Sequence, residues 1–353
     1  MDTQKPAEES NIEPAGVGSE APTTKSVNSE FFVIKPSPGK GLGAFATSDI
    51  KYGTRILAEW PIIRVEKYEY TLADINSAFD SMSAADKDIF WALHSCHGQD
   101  PAKWPAQGPN PGLPDELRER IAEQHAARVA DAPSILSVFQ ANCMPFRAGG
   151  GVYAVASRFN HACMPNVAFA WNDNIQKLTL HAARDVRAGE ELFVSYCDEL
   201  QPKEVRAWSL AHYGFACECE VCADDGVEGS PGFKHRVNRE KLQCLADVVN
   251  AISIDHIPFA MHFGPSHANQ RLMALFEVLS IMKEENMFGS QMCIVYRELA
   301  MVCEEKGDYD NAVVAARKEL ETYLRIMGPD SPMIPRAVAL ARRLKSRTVE
   351  EVK

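Results

Sequence analysis

Residues 157–166 read SRFNHACMPN and place an amide, an imidazole, a thiol and a proline in one short segment near the middle of the chain. Within this segment, Asn160 and His161 stand just before Cys163. Side chains of these types are common in metal-binding and catalytic sites, where a thiolate is held by partners from elsewhere in the fold. The groups that Cys163 faces must therefore come from other parts of the sequence.

A second group of thiols follows at Cys217, Cys219 and Cys222, in the pattern C-x-C-x-x-C. This spacing can bring three thiolates around one ion, which leaves a tetrahedral zinc site one ligand short. The fourth ligand could be a water molecule or one of four side chains: Cys143, Cys163, Cys197 or His212. Three buried core thiols are the alternative interpretation, but two intervening glutamates argue against a purely apolar strand.

The bulk properties of the chain predict a globular protein inside the cell. A length of 353 residues favours two or three domains, and 46% apolar residues are enough to give each a buried core. The formal net charge of −11 argues against non-specific binding to nucleic acid but tolerates a basic protein partner. With no bilayer-length apolar run and no cationic N-terminal signal, we expect a cytoplasmic or nuclear protein without membrane contact. Its ten cysteines are then expected to be reduced, catalytic or metal-bound.

Local composition and hydrophobic periodicity divide the chain into segments. Residues 1–29 are rich in Pro, Glu, Ser and Gly and are expected to form a disordered tail. Short β-branched and aromatic runs between tight turns predict a β-rich domain over 30–200, which a helical pattern interrupts at about 70–132. A cysteine-rich segment follows at 201–225. Apolar residues then recur at helical spacing over 233–347, which predicts an all-helical C-terminal domain.

Two further groups of polar residues are interpreted as structural. The stretch HSCHG, with His94, Cys96 and His97, is typical of a helix end with scattered imidazoles, because no fourth metal ligand accompanies it. Glu190 and Glu191 are interpreted as a turn residue and a strand start rather than as an acid–base pair.

Four segments, taken in order, carry a resemblance to a known family. They are KGLGAFAT at 40–47, SRFNHACMPN at 157–166, GEELFVSY at 189–196 and YGFACECEVC at 213–222. Together they resemble a SET-domain protein lysine methyltransferase, and the pattern is similar to that of the SET-and-MYND family. The resemblance covers about residues 31–327.

The resemblance implies an α+β fold with four parts: a β-rich SET domain with a pseudoknot, a helical insert, a post-SET zinc site, and an all-helical C-terminal domain of the tetratricopeptide type. It also implies methyl transfer from S-adenosylmethionine to a lysine of a histone or non-histone protein, with Zn²⁺ as a second cofactor. We expect a monomer that binds no nucleic acid directly. The family's MYND zinc module is missing, since residues 60–130 contain only Cys96, and Leu42 stands where many SET proteins have arginine.

The family pattern assigns roles to individual residues. In SET proteins the Asn and His of this segment contact the cofactor while its Cys turns to the zinc, which here implies Asn160, His161 and Cys163, the last as the fourth ligand. Tyr196 matches the catalytic tyrosine, whose hydroxyl orients the amine. The remaining implied residues are cofactor contacts at Lys40, Gly41, Gly43, Asn142, Ser157 and Phe215, a substrate channel at Tyr153 and Tyr213, and zinc ligands at Cys217, Cys219 and Cys222.

The chemistry of methyl transfer explains why such residues are needed. S-adenosylmethionine carries its own activated methyl group, so the protein must align it with a deprotonated amine. A lysine is protonated at neutral pH, and a narrow aromatic channel lowers its pKa by desolvation. Tyr153, Tyr213 and Phe215 could instead be plain core residues, and Tyr196 could cap a strand. The alternative functions are a catalytically silent SET scaffold that binds a protein partner, or an enzyme acting on a non-protein amine.

Overall fold

The computed structural model describes residues 29–104, 112–245 and 268–351. The expected N-terminal tail therefore lies almost wholly outside the described residues. Across these three ranges, none of the helices has the length and apolar character that crossing a membrane requires.

The described residues contain ten strands, which form three small sheets. In chain order the strands are β1 (Phe32–Ser37), β2 (Gly41–Ala46), β3 (Arg55–Glu59), β4 (Ile63–Val65), β5 (Cys143–Phe146), β6 (Gly149–Val152), β7 (Asn160–His161), β8 (Val167–Asn172), β9 (Lys177–Ala182) and β10 (Glu191–Val194). The sheet orders are β1-β2-β10-β7, β3-β9-β8 and β4-β6-β5. The expected β-rich domain is thereby confirmed.

Helices fill the insert and the C-terminal part of the described chain. They are α1 (Leu72–Asp80), α2 (Ala84–Trp91), α3 (Asp115–Val129), α4 (Ile135–Asn142), α5 (Lys203–Ala211), α6 (Pro231–Cys244), α7 (Ala268–Glu284), α8 (Ser290–Glu305), α9 (Tyr309–Ile326) and α10 (Ile334–Glu351). Side-chain caps explain where several of them begin. Thr71 and Ser134 each form a capping box at the start of α1 and α4.

Strand β10 joins distant parts of the chain in the first sheet. It pairs antiparallel with β2, where Leu192 faces Ala44, and parallel with β7, where Val194 faces His161. The segment GEELFVSY thus lies between the N-terminal hairpin and the strand formed by Asn160 and His161. This pairing sets the end of β10, and with it Tyr196, beside His161.

The hairpin of β1 and β2 turns where the sequence places glycine. Ser37 is paired with Gly41 across the turn, and the amide of Lys40 donates to the Ser37 carbonyl at 3.1 Å. Gly39 and Gly41 have φ angles of +72° and +74°, which an L residue adopts only with strain. Gly39 and Gly41 are therefore required by the turn itself.

The C-terminal helices share one core, to which Leu275, Val295, Ala316 and Leu344 contribute fully buried side chains. The link between α8 and α9 follows the sequence pattern. Gly307 has a φ of +74°, and the side chain of Asp308 accepts a hydrogen bond from the amide of Asn311 as the cap of α9. These helices form the all-helical C-terminal domain that the sequence predicted.

The helical domain packs on the β3-β9-β8 sheet. Arg55 of β3 forms an ion pair with Asp330, and its Nε lies 3.1 Å from Nε2 of His181. Asn172 also donates to Asp330 at 3.1 Å, and the guanidinium of Arg325 lies 4.7 Å from the ring centroid of Tyr52. The contact between the domains thus combines these polar interactions with apolar packing, in which Tyr52 and Ala168 contact the core of the helical domain.

Candidate functional site

The four cysteines implied as a zinc site lie together. The sulfur atoms of Cys163, Cys217, Cys219 and Cys222 are all within 4.8 Å of one another. Cys163 follows β7, and its sulfur is 3.9 Å from that of Cys217 and 3.6 Å from that of Cys222. Four thiols at this separation have the ligand type and number of a closed structural zinc site.

The other candidates for the fourth ligand lie elsewhere, with one exception. The imidazole of His212 faces the carbonyls of Trp208 and Ser209, and the thiol of Cys143 packs in the core of the insert. Cys197 is the exception, because its sulfur lies within 4.8 Å of both Cys163 and His161. Cys163 therefore has four other thiols near its sulfur: those of Cys197, Cys217, Cys219 and Cys222.

Arg206 is a part of the cysteine cluster that sequence reasoning missed. This residue of α5 is 1% exposed, and its guanidinium donates to the sulfur of Cys163 at 3.3 Å and to that of Cys222 at 3.5 Å. A third bond runs to the Gln201 carbonyl at 2.5 Å. A divalent ion with four thiolates carries a net charge of −2, and a buried cation beside it offsets this charge.

His161 connects the cysteine cluster to Tyr196. Its Nδ1 accepts a hydrogen bond from the backbone amide of Tyr196 at 3.0 Å, so the proton of the neutral ring must be on Nε2. That nitrogen lies 3.2 Å from the sulfur of Cys163, to which it donates. Burial lowers the pKa of His161 to about 4, so that the ring is neutral at physiological pH.

A cavity of about 180 Å³ lies beside Tyr196. Of the residues implied as functional, it is lined by Asn142, Ser157, Tyr196 and Tyr213. The other lining residues are Ala141, Cys143, Met144, Pro145, Ala156, Phe159, Phe169, Val194 and Ser195. The wall is thus mostly apolar and aromatic, which suits the desolvation of an amine.

The hydroxyl of Tyr196 has a fixed direction. It donates to the carbonyl of Phe159 at 2.7 Å, which leaves its oxygen lone pairs able to accept from another group. Burial raises the pKa of Tyr196 well above its ordinary value, so the phenol stays protonated at physiological pH. The ring of Tyr213 packs on it with centroids 4.8 Å apart, and burial raises the pKa of Tyr213 to about 12.

The remaining implied contacts differ in their surroundings. Phe215 is 38% exposed, and its ring centroid is 6.2 Å from that of His161, so part of this aromatic side chain is accessible beside His161. Tyr153 is fully buried and donates to the Pro145 carbonyl at 3.0 Å; it is not among the residues that line the cavity. The amide nitrogen of Asn142 is already bonded to two backbone carbonyls, although the residue lines the cavity.

The side chain of Glu191 links the N-terminal hairpin to Asn160 of β7. Its carboxylate accepts from Asn160 at 2.7 Å and from Ser37 at 3.0 Å, and it lies 3.8 Å from the ammonium group of Lys40. Asn160 also donates to the Leu42 carbonyl at 3.0 Å. The interpretation of Glu191 as a mere strand start is therefore incomplete, because its side chain positions two of the implied cofactor residues.

Comparison with known proteins gives the following relations. The SET-domain family model matches residues 41–197. The histone-lysine N-methyltransferase set5 of Schizosaccharomyces pombe is 26% identical over 86% of this chain and 81% of that protein. The N-lysine methyltransferase SMYD2 of Homo sapiens is 24% identical over 55% of this chain and 47% of its own length. The solved SET domain of LSMT bound to lysine and AdoHcy is 13% identical, with 93% of this chain and 88% of that chain covered and a TM-score of 0.34.

Proposed function

We propose that this SET-domain protein, whose resemblance to the SET-and-MYND family is supported by its relatives, transfers a methyl group from S-adenosylmethionine to lysine side chains of proteins. The SET domain and the methyltransferase names of its relatives support an enzyme of the protein-lysine N-methyltransferase class. The observation that carries the proposal is the arrangement of one short segment: His161 bonds to the backbone of the cavity tyrosine Tyr196, and Cys163 joins the cysteine cluster.

The residues of the cavity account for the treatment of the substrate amine. The bound sulfonium cofactor supplies an activated methyl group, so the protein needs no nucleophile of its own. The apolar wall disfavours the charged ammonium form of an entering lysine. The Tyr196 hydroxyl donates its hydrogen bond to the Phe159 carbonyl. The hydroxyl oxygen can therefore accept a hydrogen bond from the neutral amine and thereby fix the direction of the nitrogen lone pair.

The residues implied for the cofactor fit such a molecule. Lys40, Asn160 and Glu191 form a polar group beside the hairpin turn, and the absence of a side chain at Gly43 lets the Glu191 carboxylate and the Asn160 amide pack against the backbone there. The half-exposed ring of Phe215 next to His161 offers a face for a purine. Cys163, Cys217, Cys219 and Cys222 would hold one Zn²⁺, with His161 and Arg206 donating to the sulfurs.

The substrate is proposed to be a lysine in a basic, extended protein segment, for which histone tails are a candidate. The net charge of −11 favours such a partner. All residues that line the cavity fall within 141–213, so its wall is formed by the SET domain and the segment that follows it. A cytoplasmic or nuclear location is proposed because all ten cysteines are free thiols.

A direct test separates this enzyme from a silent SET scaffold. The purified chain is titrated with S-adenosylmethionine in a calorimeter and then incubated with radiolabelled cofactor and basic peptides, histones or itself. We expect binding in the micromolar range, on the order of −8 kcal/mol, and label on lysine. Methyl transfer to basic peptides should fall as salt is raised, since screening weakens charge attraction. Binding of S-adenosylmethionine without any methyl transfer would favour the scaffold. No binding at all would mean that S-adenosylmethionine is not the cofactor.

Gly43→Ala is expected to weaken cofactor binding about tenfold. A methyl group at this position would collide with the Glu191 carboxylate and come within 2.9 Å of the Asn160 amide nitrogen, displacing both. Gly226→Ala is the matched control, because its added methyl would meet no atom within 4 Å and its φ is not positive. Calorimetric titration of the two variants measures the effect; equal affinities would mean that the Asn160–Glu191 pair does not support the cofactor.

A further inference from the structure

We infer that the loop at residues 94–99 clamps the turn that carries Tyr213, with His94 and Gln99 as positioning residues for methyl transfer. This inference rests on the proposed function, because Tyr213 lines the cavity beside Tyr196. The loop belongs to the insert, whereas the turn follows α5, so the clamp joins two separate parts of the chain. Sequence analysis interprets the HSCHG stretch as structural only.

Two side chains of the loop bond to the backbone of the turn. Nε2 of His94 lies 3.2 Å from the Tyr213 carbonyl, and since a carbonyl only accepts, this nitrogen carries the proton. The amide nitrogen of Gln99 donates to the His212 carbonyl at 3.3 Å. His212 is the C-terminal cap of α5 and Tyr213 follows it, so no later residue of the helix can donate to their carbonyls, and the loop supplies the donors.

The loop is itself held firmly on its other side. Its backbone amides donate to the carbonyls of α3, α4 and the residue after α3: Cys96 to Ser137 at 3.2 Å, Gly98 to Ala130 at 2.9 Å, and Gln99 to Arg128 at 2.9 Å. Gln99 also uses its second amide hydrogen, on the Cys96 carbonyl at 2.9 Å. A fixed loop can therefore impose a position on the turn rather than follow it.

The same loop reaches the opposite side of the cavity. The carbonyl of His94 accepts from the Asn142 side chain at 2.7 Å, and the Asn142 carbonyl accepts from Ser157 at 3.4 Å. His94 is thus bonded to residues on two walls of the cavity, Tyr213 through its ring and Asn142 through its backbone. A shift of this loop should change the separation of those walls.

Aromatic packing strengthens the contact between insert and turn. The ring of Trp104 lies 5.4 Å from that of Trp208 and 4.9 Å from that of His212, as measured between centroids. The turn lies outside regular secondary structure, since α5 ends at Ala211 and Gly214 has a φ of +88°. Its conformation therefore depends on what it packs against.

The test compares variants that differ only in hydrogen-bond donors. Gln99→Glu keeps the shape but aims a carboxylate at two carbonyls, and His94→Phe removes the ring donor. His94→Gln restores an N–H at the reach of Nε2, and Gln243→Glu on the exposed face of α6 is the control for the added charge. We measure kcat and KM with a basic lysine peptide, the cofactor Kd, and hydrogen exchange of residues 207–218 by mass spectrometry.

We expect Gln99→Glu and His94→Phe to lower kcat about tenfold, because they remove side-chain bonds to the turn that carries Tyr213. The cofactor Kd should stay within about twofold, because the bond from Asn142 to the His94 backbone carbonyl is kept. Amide exchange at residues 212–215 should rise about tenfold in both. His94→Gln and Gln243→Glu should match the parent in both measurements.

Unchanged exchange in Gln99→Glu and His94→Phe would overturn the clamp, and so would raised exchange with a parental kcat. Equal losses in His94→Phe and His94→Gln would also overturn it, since the donor would then be irrelevant. The exchange measurement needs no turnover. If the parent transfers no methyl group, the proposed function fails, whereas raised exchange in the variants would still support the loop as a clamp.

Discussion

Tyr196→Phe is expected to reduce methyl transfer by about 10³-fold and to leave the affinity for S-adenosylmethionine within a few-fold. The substitution removes only the hydroxyl, which bonds to the Phe159 carbonyl and faces the cavity. The hydrogen bond from residue 196 to Nδ1 of His161 comes from the backbone, so the variant keeps it. The loss should therefore appear in kcat rather than in cofactor binding.

Single-turnover methyl transfer and calorimetric titration measure the two quantities separately. Tyr323→Phe is the matched control. Tyr323 is a buried tyrosine of the helical domain that is not among the residues lining the cavity, and the substitution likewise deletes only a hydroxyl. Parental rates in Tyr196→Phe would remove this hydroxyl from the mechanism. A large loss of cofactor affinity would instead place Tyr196 in cofactor binding.

Cys163→Ser is expected to lower the zinc content from one ion per chain to below about a tenth of an ion, and to lower the melting temperature by on the order of 10 °C. Without metal, the segment 217–222 loses the ion that joins it to the SET domain. The buried guanidinium of Arg206 also loses one of its two sulfur partners. Phe215, which lies just before this segment, should then move away from His161.

Elemental analysis and thermal denaturation test the zinc prediction. Cys244→Ser is the control, since this thiol is exposed on α6 and lies outside the cluster. Full zinc content in Cys163→Ser would show that another residue closes the site. Cys197 is the first choice for that residue because of its position within 4.8 Å of Cys163, and the double variant would then be the one to lose the metal.

The sequence predicts the β-rich domain, the insert and the helical C-terminal domain because each leaves a local periodic pattern. The resemblance to SET proteins also implies the grouping of Cys163 with Cys217, Cys219 and Cys222, which lie together in the structure. The insert, expected to end near 132, is followed directly by α4 at Ile135–Asn142. Only the fold shows that this helix brings Asn142 to the cavity wall.

Residues that act through long-range contacts left no readable signal. Arg206 looks like an ordinary basic residue of an amphipathic helix, and its role depends on a sulfur 43 positions away. Glu191 and Gln99 are similar cases, since each is defined by partners on distant elements. Tyr153 is the opposite case. The resemblance implies a place in the substrate channel, whereas its ring belongs to the buried core, as the alternative interpretation had it.

The pairing of β10 with β2 also constrains how the protein is made. Ser37 and its partner Glu191 are 154 positions apart, so β10 leaves the ribosome well after the hairpin. At about 5–20 residues per second, the hairpin waits roughly 8–30 s for the strand that covers its open edge. During that time β2 exposes unpaired backbone groups to other nascent chains. The first sheet can close only when the tyrosine segment has been synthesised, so messages truncated before codon 191 should yield chains that depend on chaperones to stay soluble.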